Sequence, residues 1–180
     1  CSSDLAELIV VACNTSSSVA LRKIQQEYLP ARHPERRVLG IVIPTAEEVA
    51  AMSATKVLGI LATEATVAAM AYPQEIHKVD PQVRVCQQGC PLLVPIIESG
   101  ELHNASAVAA PYVQALLAQS ADIDTVLLGC THYALIEDII RPLLPPSVKL
   151  VSQGTIVAAK LENYLQRQDR KSTRLNSSHV

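Results

Sequence analysis

Short apolar runs alternate with amphipathic segments along most of this 180-residue chain. Residues 8–12 read Leu-Ile-Val-Val-Ala, a continuous apolar run typical of a strand buried on both faces. The same pattern predicts further strands over residues 38–43, 56–62, 82–86, 125–128 and 148–151. It predicts helices over residues 19–28, 64–72, 91–98, 105–120, 133–144 and 155–168, the first of them preceded by capping residues at 14–18. Strands that alternate with helices predict an α/β fold whose sheet is mostly parallel. Ligands of such sheets bind beyond the carboxyl ends of the strands.

Proline and threonine set three of the predicted boundaries. The polar stretch 30–37 contains prolines and predicts a connection between elements. Pro44 is expected to end the second strand, so that Thr45 opens the next helix. Thr63 is expected to cap the helix over 64–72, because a threonine hydroxyl can accept a hydrogen bond from a free amide at a helix start.

The composition argues against several classes of function. Hydrophobic residues make up 49% of the chain and charged residues 18%, so a buried core is expected. The chain has five tyrosines but no phenylalanine or tryptophan, which argues against stacking platforms for single-stranded nucleic acid. The net charge is only −2, and no apolar run approaches the ~20 residues that span a bilayer. We therefore expect a small-molecule partner, and neither nucleic acid nor membrane.

Both termini are unusual. The chain begins with Cys1 and not with methionine, so we expect it to be an internal piece of a longer protein. Residues 171–180 are polar and aperiodic. We expect them to be a disordered or non-native tail, since they resemble translated adapter sequence.

Five cysteines occur, at positions 1, 13, 86, 90 and 130. An odd, widely spaced set in a chain without an export signal argues against a disulfide framework and favours reduced thiols in the cytoplasm. Cys86 and Cys90, with His77 and His103 nearby in sequence, leave a metal site open. Two small buried thiols are the favoured interpretation, so no metal is expected.

Two of the cysteines occupy matching places. Cys13 follows the strand at 8–12 and Cys130 follows the strand at 125–128, and each precedes polar residues that open a helix. This placement puts both thiols at the ligand edge of the sheet, at helix N-termini that stabilise a thiolate. Nucleophilic catalysis, redox chemistry and stereoinversion by two bases all stay open. The symmetry of the motifs favours stereoinversion, with one cysteine a thiolate and the other a thiol.

At these residues the sequence resembles a glutamate racemase of the cofactor-independent aspartate/glutamate racemase superfamily. The resemblance spans residues 8 to about 165 and rests on four segments, Val-Ala-Cys-Asn-Thr at 11–15, Gly-Ile-Leu-Ala-Thr-Glu-Ala-Thr-Val at 59–67, Cys-Pro-Leu-Leu-Val-Pro-Ile-Ile-Glu at 90–98 and Leu-Gly-Cys-Thr-His-Tyr at 128–133. It implies two doubly wound α/β lobes with the active site between them, and no cofactor. Residues 1–37 and 150–170 would form a first lobe that is incomplete here, and residues 38–149 the second.

The resemblance also implies roles for individual residues. Cys13 and Cys130 match the cysteines that move the α-proton between L- and D-glutamate, and His132 and Glu98 match a pair that assists one of them. The matching substrate-binding positions are Asn14, Thr15, Thr63, Thr131 and His132. The product would supply peptidoglycan synthesis in a bacterial cytoplasm, and homodimers are common in the family.

Plainer interpretations remain for some of these residues. His132 is also compatible with a capping or packing role, Glu98 with a solvated helix end and Thr63 with a plain N-cap. The alternatives to glutamate are aspartate, hydantoin or maleate as substrates of the same fold, and an inactive racemase-like binding fragment.

The chain departs from the family pattern in three places. It lacks the family's initial Asp-Ser pair and its Pro-Tyr-Gly segment, and it has Ser152-Gln153 where many members have Asp-Ser. We therefore expect this piece alone to be poorly folded or inactive, and the complete protein to be a racemase.

Overall fold

The computed structural model describes the backbone of residues 7–177 and the side chains of residues 7–167. Within that range six strands form two sheets, and every strand pairing is parallel. The first sheet pairs β1 (Leu8–Val11) with β2 (Arg37–Gly40). The second is formed by β3 (Val57–Ala62), β4 (Arg84–Gly89), β5 (Thr125–Leu128) and β6 (Lys149–Val151), in the order β4-β3-β5-β6. These pairings confirm the predicted α/β fold.

Helices connect the strands. The α-helical segments are α1 (Asn14–Val19), α2 (Leu21–Lys23), α3 (Leu29–Arg32), α4 (Val42–Val49), α5 (Glu64–Ala68), α6 (Ala71–Val79), α7 (Leu93–Glu98), α8 (Ala105–Leu117), α9 (Glu137–Ile140) and α10 (Gly154–Ser177). A π-helical turn covers Ile24–Tyr28, and 3₁₀ turns cover Leu102–Asn104, Thr131–Ile136 and Arg141–Leu143. No helix in residues 7–177 has both the length and the apolar character that a membrane span requires.

The second sheet is covered on both faces. Leu116 of α8 and Tyr133 of the turn after β5 are fully buried in the cluster on one face, together with Val126. On the other face Leu58 and Leu127 pack in a cluster that includes residues of α4 and α6. Every residue of β3 and β5 is buried, because parallel strands with helices on both faces have no side that faces water.

The two boundaries predicted from proline are wrong. Helical backbone continues to Arg32, and Pro30 lies at the start of α3, directly after the π-helical turn Ile24–Tyr28. Pro44 likewise lies in the first turn of α4, so β2 ends before it. Thr45 does not open this helix but lies inside it, where its hydroxyl donates to the Ile41 carbonyl at 2.7 Å.

The helix predicted over residues 64–72 is two helices. Met70 adopts left-handed backbone with φ 52°, which separates α5 from α6. Methionine has no special tendency toward this conformation, so the sequence carries no signal for the break. The helix predicted over 133–144 is likewise divided, into 3₁₀ turns on either side of α9.

The strand pairings differ from the predicted lobe boundaries. β2 pairs with β1, although the prediction assigns residues 38–149 to the other lobe. β6 pairs with β5, although the prediction assigns residues 150–170 to the first lobe. The division into two lobes stays a prediction. α10 continues past the predicted end at residue 168 into the expected tail, of which residues 178–180 lie outside the described range.

Candidate active site

Cys13 lies between the end of β1 and the start of α1. Its backbone is extended (φ −141°, ψ 123°) and its side chain is exposed. Partial burial acts to raise the pKa of the Cys13 thiol, but hydrogen bonds from the Ser16 hydroxyl and from the amides of Ser16 and Thr15 outweigh burial and lower that pKa. These donors favour the thiolate form.

Cys130 occupies the equivalent place after β5. Its backbone is also extended (φ −142°, ψ 137°), but its side chain is only 8% exposed. Burial raises the pKa of the Cys130 thiol, and negative charge on Cys13 raises that pKa further. The amides of His132 and Tyr133 oppose this rise without cancelling it. The two thiols are therefore electrostatically coupled, with Cys13 favoured as the thiolate and Cys130 as the thiol.

His132 joins Cys130 to Glu98. The Nδ1 atom of His132 lies 3.8 Å from the Cys130 Sγ, and its Nε2 lies 2.6 Å from a Glu98 carboxylate oxygen. When Nε2 donates to Glu98, Nδ1 is left as an acceptor that faces the thiol. Glu98 ends α7, so the tertiary fold brings together three groups that are up to 34 residues apart.

Thr15 and Thr63 meet on the Cys13 side of the site. Their hydroxyl oxygens are 2.8 Å apart, and the Thr66 hydroxyl lies 3.3 Å from Thr15 and 3.0 Å from Thr63. Thr63 also accepts a bond from the Thr66 amide at 3.2 Å, which confirms the predicted cap of α5.

Asn14 points into the protein. Its side chain is 2% exposed, and its amide group bonds to Gln153 and to the Tyr72 hydroxyl. The Asn14 side chain is therefore bonded within the protein and does not face the solvent. Thr131, in contrast, is exposed and borders the space beside Cys130.

A cavity of about 260 Å³ lies beside Cys130. Its lining includes Ala12, Ile41, Cys130, Thr131, Ser152 and Gln153. A separate cavity of about 300 Å³ lies between the first sheet and α10 and contains neither Cys13 nor Cys130. The space at the sheet edge, next to a candidate acid, is the one that suits a small substrate.

The sequence pattern of the Asp/Glu/Hydantoin racemase family matches residues 2–161. The chain belongs to this family. The glutamate racemase of Gloeothece citriformis is 40% identical over 174 residues, which are 95% of this chain and 59% of that protein. The glutamate racemase of Trichormus variabilis is 41% identical over 153 residues, which are 84% of this chain and 49% of that protein. The chain thus spans 49–59% of the length of these two relatives.

Solved glutamate racemases share the fold of this racemase-family chain. The isoform RacE1 from Bacillus anthracis matches it with a TM-score of 0.79 at 27% identity, over 90% of this chain and 59% of that one. The glutamate racemase from Francisella tularensis, solved in complex with D-glutamate, matches with a TM-score of 0.77 at 29% identity, over 91% and 58%. These comparisons confirm the resemblance that the cysteine segments indicated.

Three polar residues that bond to predicted site residues of this racemase-family chain were not predicted from the sequence. Thr66 follows Thr63 at the i+3 spacing of a helix start, and that spacing is a usable signal. Tyr72 and Gln153 bond to Asn14 across 58 and 139 residues of sequence, a separation that leaves no local pattern.

The remaining cysteines of the described range are packed in the core. Cys86 and Cys90 are buried free thiols, and burial raises the pKa of Cys90 to about 12. His77 is bonded through Nε2 to the Val83 carbonyl at 2.9 Å. Among residues 7–167 no group of three or more His, Cys, Asp or Glu side chains is arranged to hold a metal ion. Cys1 lies outside the described residues.

Cys13 is expected to react with iodoacetamide faster than Cys86, Cys90 and Cys130 in the native protein at pH 7. Alkylation requires a thiolate that the reagent can reach, and the lowered pKa and the exposure of Cys13 favour both. Burial raises the pKa of Cys90 and Cys130, and it shields all three other thiols from the reagent. The rate at Cys13 should reach half its maximum at a lower pH in the native protein than in the urea-unfolded protein, because the folded surroundings lower the pKa of that thiol. Peptide mass spectrometry over a pH series measures both quantities. Urea-unfolded protein is the control, and faster native labelling at Cys130 would contradict the assignment.

Proposed function

We propose that the complete protein containing this chain interconverts L- and D-glutamate without a cofactor, by proton transfer between Cys13, Cys130 and the α-carbon. The observation that carries this proposal is the pair of thiols at equivalent strand ends. The pKa of Cys13 is lowered and the pKa of Cys130 is raised, in part by negative charge on Cys13. A two-base reaction needs one deprotonated and one protonated group on opposite faces of the substrate. Relatives about 40% identical that are named glutamate racemases support glutamate as the substrate.

The proposed reaction balances in protons. The Cys13 thiolate accepts the α-proton and becomes a thiol, leaving a planar carbanion. The Cys130 thiol then delivers its proton to the opposite face and becomes a thiolate, which completes the inversion. The resulting form, with Cys13 protonated, is ready for the other enantiomer or returns to the first form by exchanging protons with water.

His132 and Glu98 are proposed to assist at Cys130. With Nε2 held by Glu98 at 2.6 Å, the Nδ1 acceptor at 3.8 Å from the sulfur orients the thiol proton, and His132 passes a proton from water back to the Cys130 thiolate when the site resets. The hydroxyls of Thr15, Thr63 and Thr131 are proposed to bind the substrate carboxylates and amine. Asn14 is proposed to contribute to substrate binding through the backbone turn that it shares with Cys13.

The product is proposed to supply peptidoglycan synthesis in the cytoplasm. That the protein forms a homodimer stays a prediction.

The test is exchange of the α-hydrogen of glutamate in deuterated water. We expect the complete protein to convert L-glutamate to D-glutamate with one solvent deuterium at the α-carbon, and to do the reverse with D-glutamate. A panel with aspartate and hydantoins decides the substrate within the family. Exchange confined to aspartate or a hydantoin, or no exchange with any of these, would overturn the proposal.

A further inference from the structure

The turn between β6 and α10 bonds to both cysteine-bearing segments. Ser152 donates its hydroxyl to a carboxylate oxygen of Glu137 in α9, the helix that follows the Cys130 turn. The next residue, Gln153, bonds to Asn14, the residue after Cys13. Two adjacent side chains therefore join the two halves of the site. The same two residues line the cavity beside Cys130.

The contact between Gln153 and Asn14 is a reciprocal pair of amides. Asn14 Nδ2 donates to Gln153 Oε1 at 2.8 Å, and Gln153 Nε2 donates to Asn14 Oδ1 at 2.9 Å. The Tyr72 hydroxyl donates to the same Asn14 oxygen at 2.6 Å and accepts a bond from Gln153 Nε2. The three groups thus form a closed ring in which each side chain has both of the others as partners.

Burial makes this ring rigid. Asn14 is 2% exposed, Gln153 is 7% exposed and Tyr72 is fully buried. A buried amide or hydroxyl that loses its partner has no water to replace it, so each member strongly favours this one arrangement. Asn14 is covalently next to Cys13, and a fixed Asn14 therefore limits the backbone positions open to that cysteine.

We propose that Ser152 and Gln153 are positioning residues, which hold the Cys13 and Cys130 segments at the separation that lets both thiols reach one α-carbon. The role rests on the proposed function. Neither side chain needs to touch the reacting atoms. Because proton transfer depends steeply on distance, a shift of about 1 Å between the segments is enough to slow it by ~10²-fold.

Gln153→Ala and Ser152→Ala in the complete protein are the variants that test this role. Each is expected to lower kcat for glutamate by about 10- to 100-fold, with a smaller change in KM. The primary isotope effect with α-deuterated glutamate should increase, because proton transfer becomes more rate-limiting. Ser152→Thr keeps the hydroxyl and should restore most of kcat. Gln166→Ala, an exposed glutamine of α10, is the matched control and should match the wild type.

A second readout does not depend on activity. A short bifunctional thiol reagent should bridge Cys13 and Cys130 in the wild type, and the bridged peptides should decrease in both alanine variants. If Gln153→Ala fails to fold in a thermal melt, the two Ser152 variants decide. Unchanged kcat, isotope effect and bridging would overturn the positioning role. A wild type that bridges but leaves glutamate unchanged would overturn the proposed function, and bridging would still decide the positioning role.

Discussion

Cys13→Ser and Cys130→Ser should each lower glutamate racemisation by the complete protein about 10²- to 10⁴-fold, the range that one general acid or base contributes. Serine keeps the shape of cysteine, but its hydroxyl is a far weaker acid than a thiol. Each variant therefore loses one of the two prepared groups, either the base with the lowered pKa at Cys13 or the acid with the raised pKa at Cys130. Chiral chromatography of reactions started from each enantiomer measures the rate.

The two serine variants should also differ in what they retain. The remaining cysteine can still remove the α-proton of one enantiomer and return a solvent hydrogen to the same face. Each variant should therefore exchange one enantiomer without inverting it, and the two should exchange opposite enantiomers. Cys86→Ala is the matched control, because Cys86 is a buried thiol of β4 outside the site. Wild-type racemisation by either serine variant, or exchange of the same enantiomer by both, would contradict the two-base assignment.

Leu127→Ala should destabilise the complete protein by about 2–5 kcal/mol, the usual cost of a buried leucine that leaves a cavity. Leu127 is fully buried in β5, opposite Ile60 of β3 and Val151 of β6. Its side chain belongs to the cluster that includes Tyr72. The strands and helices around Leu127 are closely packed, so they cannot move inward enough to fill the cavity that the shorter alanine side chain leaves. Urea unfolding followed by circular dichroism measures the change in the free energy of unfolding.

Leu135→Ala is the matched control for that experiment. Leu135 is 71% exposed in the turn after Cys130, so its truncation should change the free energy of unfolding by less than about 0.5 kcal/mol. Because β5 leads directly to Cys130, the Leu127 variant should also lose racemase activity at a lower temperature than the control. Equal unfolding midpoints for the two variants would show that β5 is not part of the core.

The elements that could be predicted are those with a local signal. The apolar runs at β3 and β5 are buried along their whole length, as a strand between helix layers requires. The apolar run at β1 also forms a strand, but the prediction that it is buried on both faces is wrong, since Ile9 is 44% and Val10 36% exposed in a two-stranded sheet. Thr63 caps α5 because its own hydroxyl reaches an amide three residues ahead. The boundaries predicted from Pro30 and Pro44 are wrong, because proline can end a strand but is also tolerated in the first turn of a helix.

The sequence by itself determined the candidate reactive groups of this protein. They are two cysteines, each between an apolar strand and polar residues that open a helix, which is a local arrangement of neighbours along the chain. Only the tertiary structure decided how the two differ. Cys13 is exposed, and its hydrogen-bond donors lie only two and three residues ahead in the sequence. Cys130 is buried in a cluster with residues of distant strands and helices, and the nearby His132 bonds to Glu98, which lies 34 residues away in the sequence. The ring of Asn14, Tyr72 and Gln153 likewise exists only after folding, because its bonds join residues 58–139 positions apart. A hydrogen bond between such residues depends on packing and leaves no periodic pattern in the sequence.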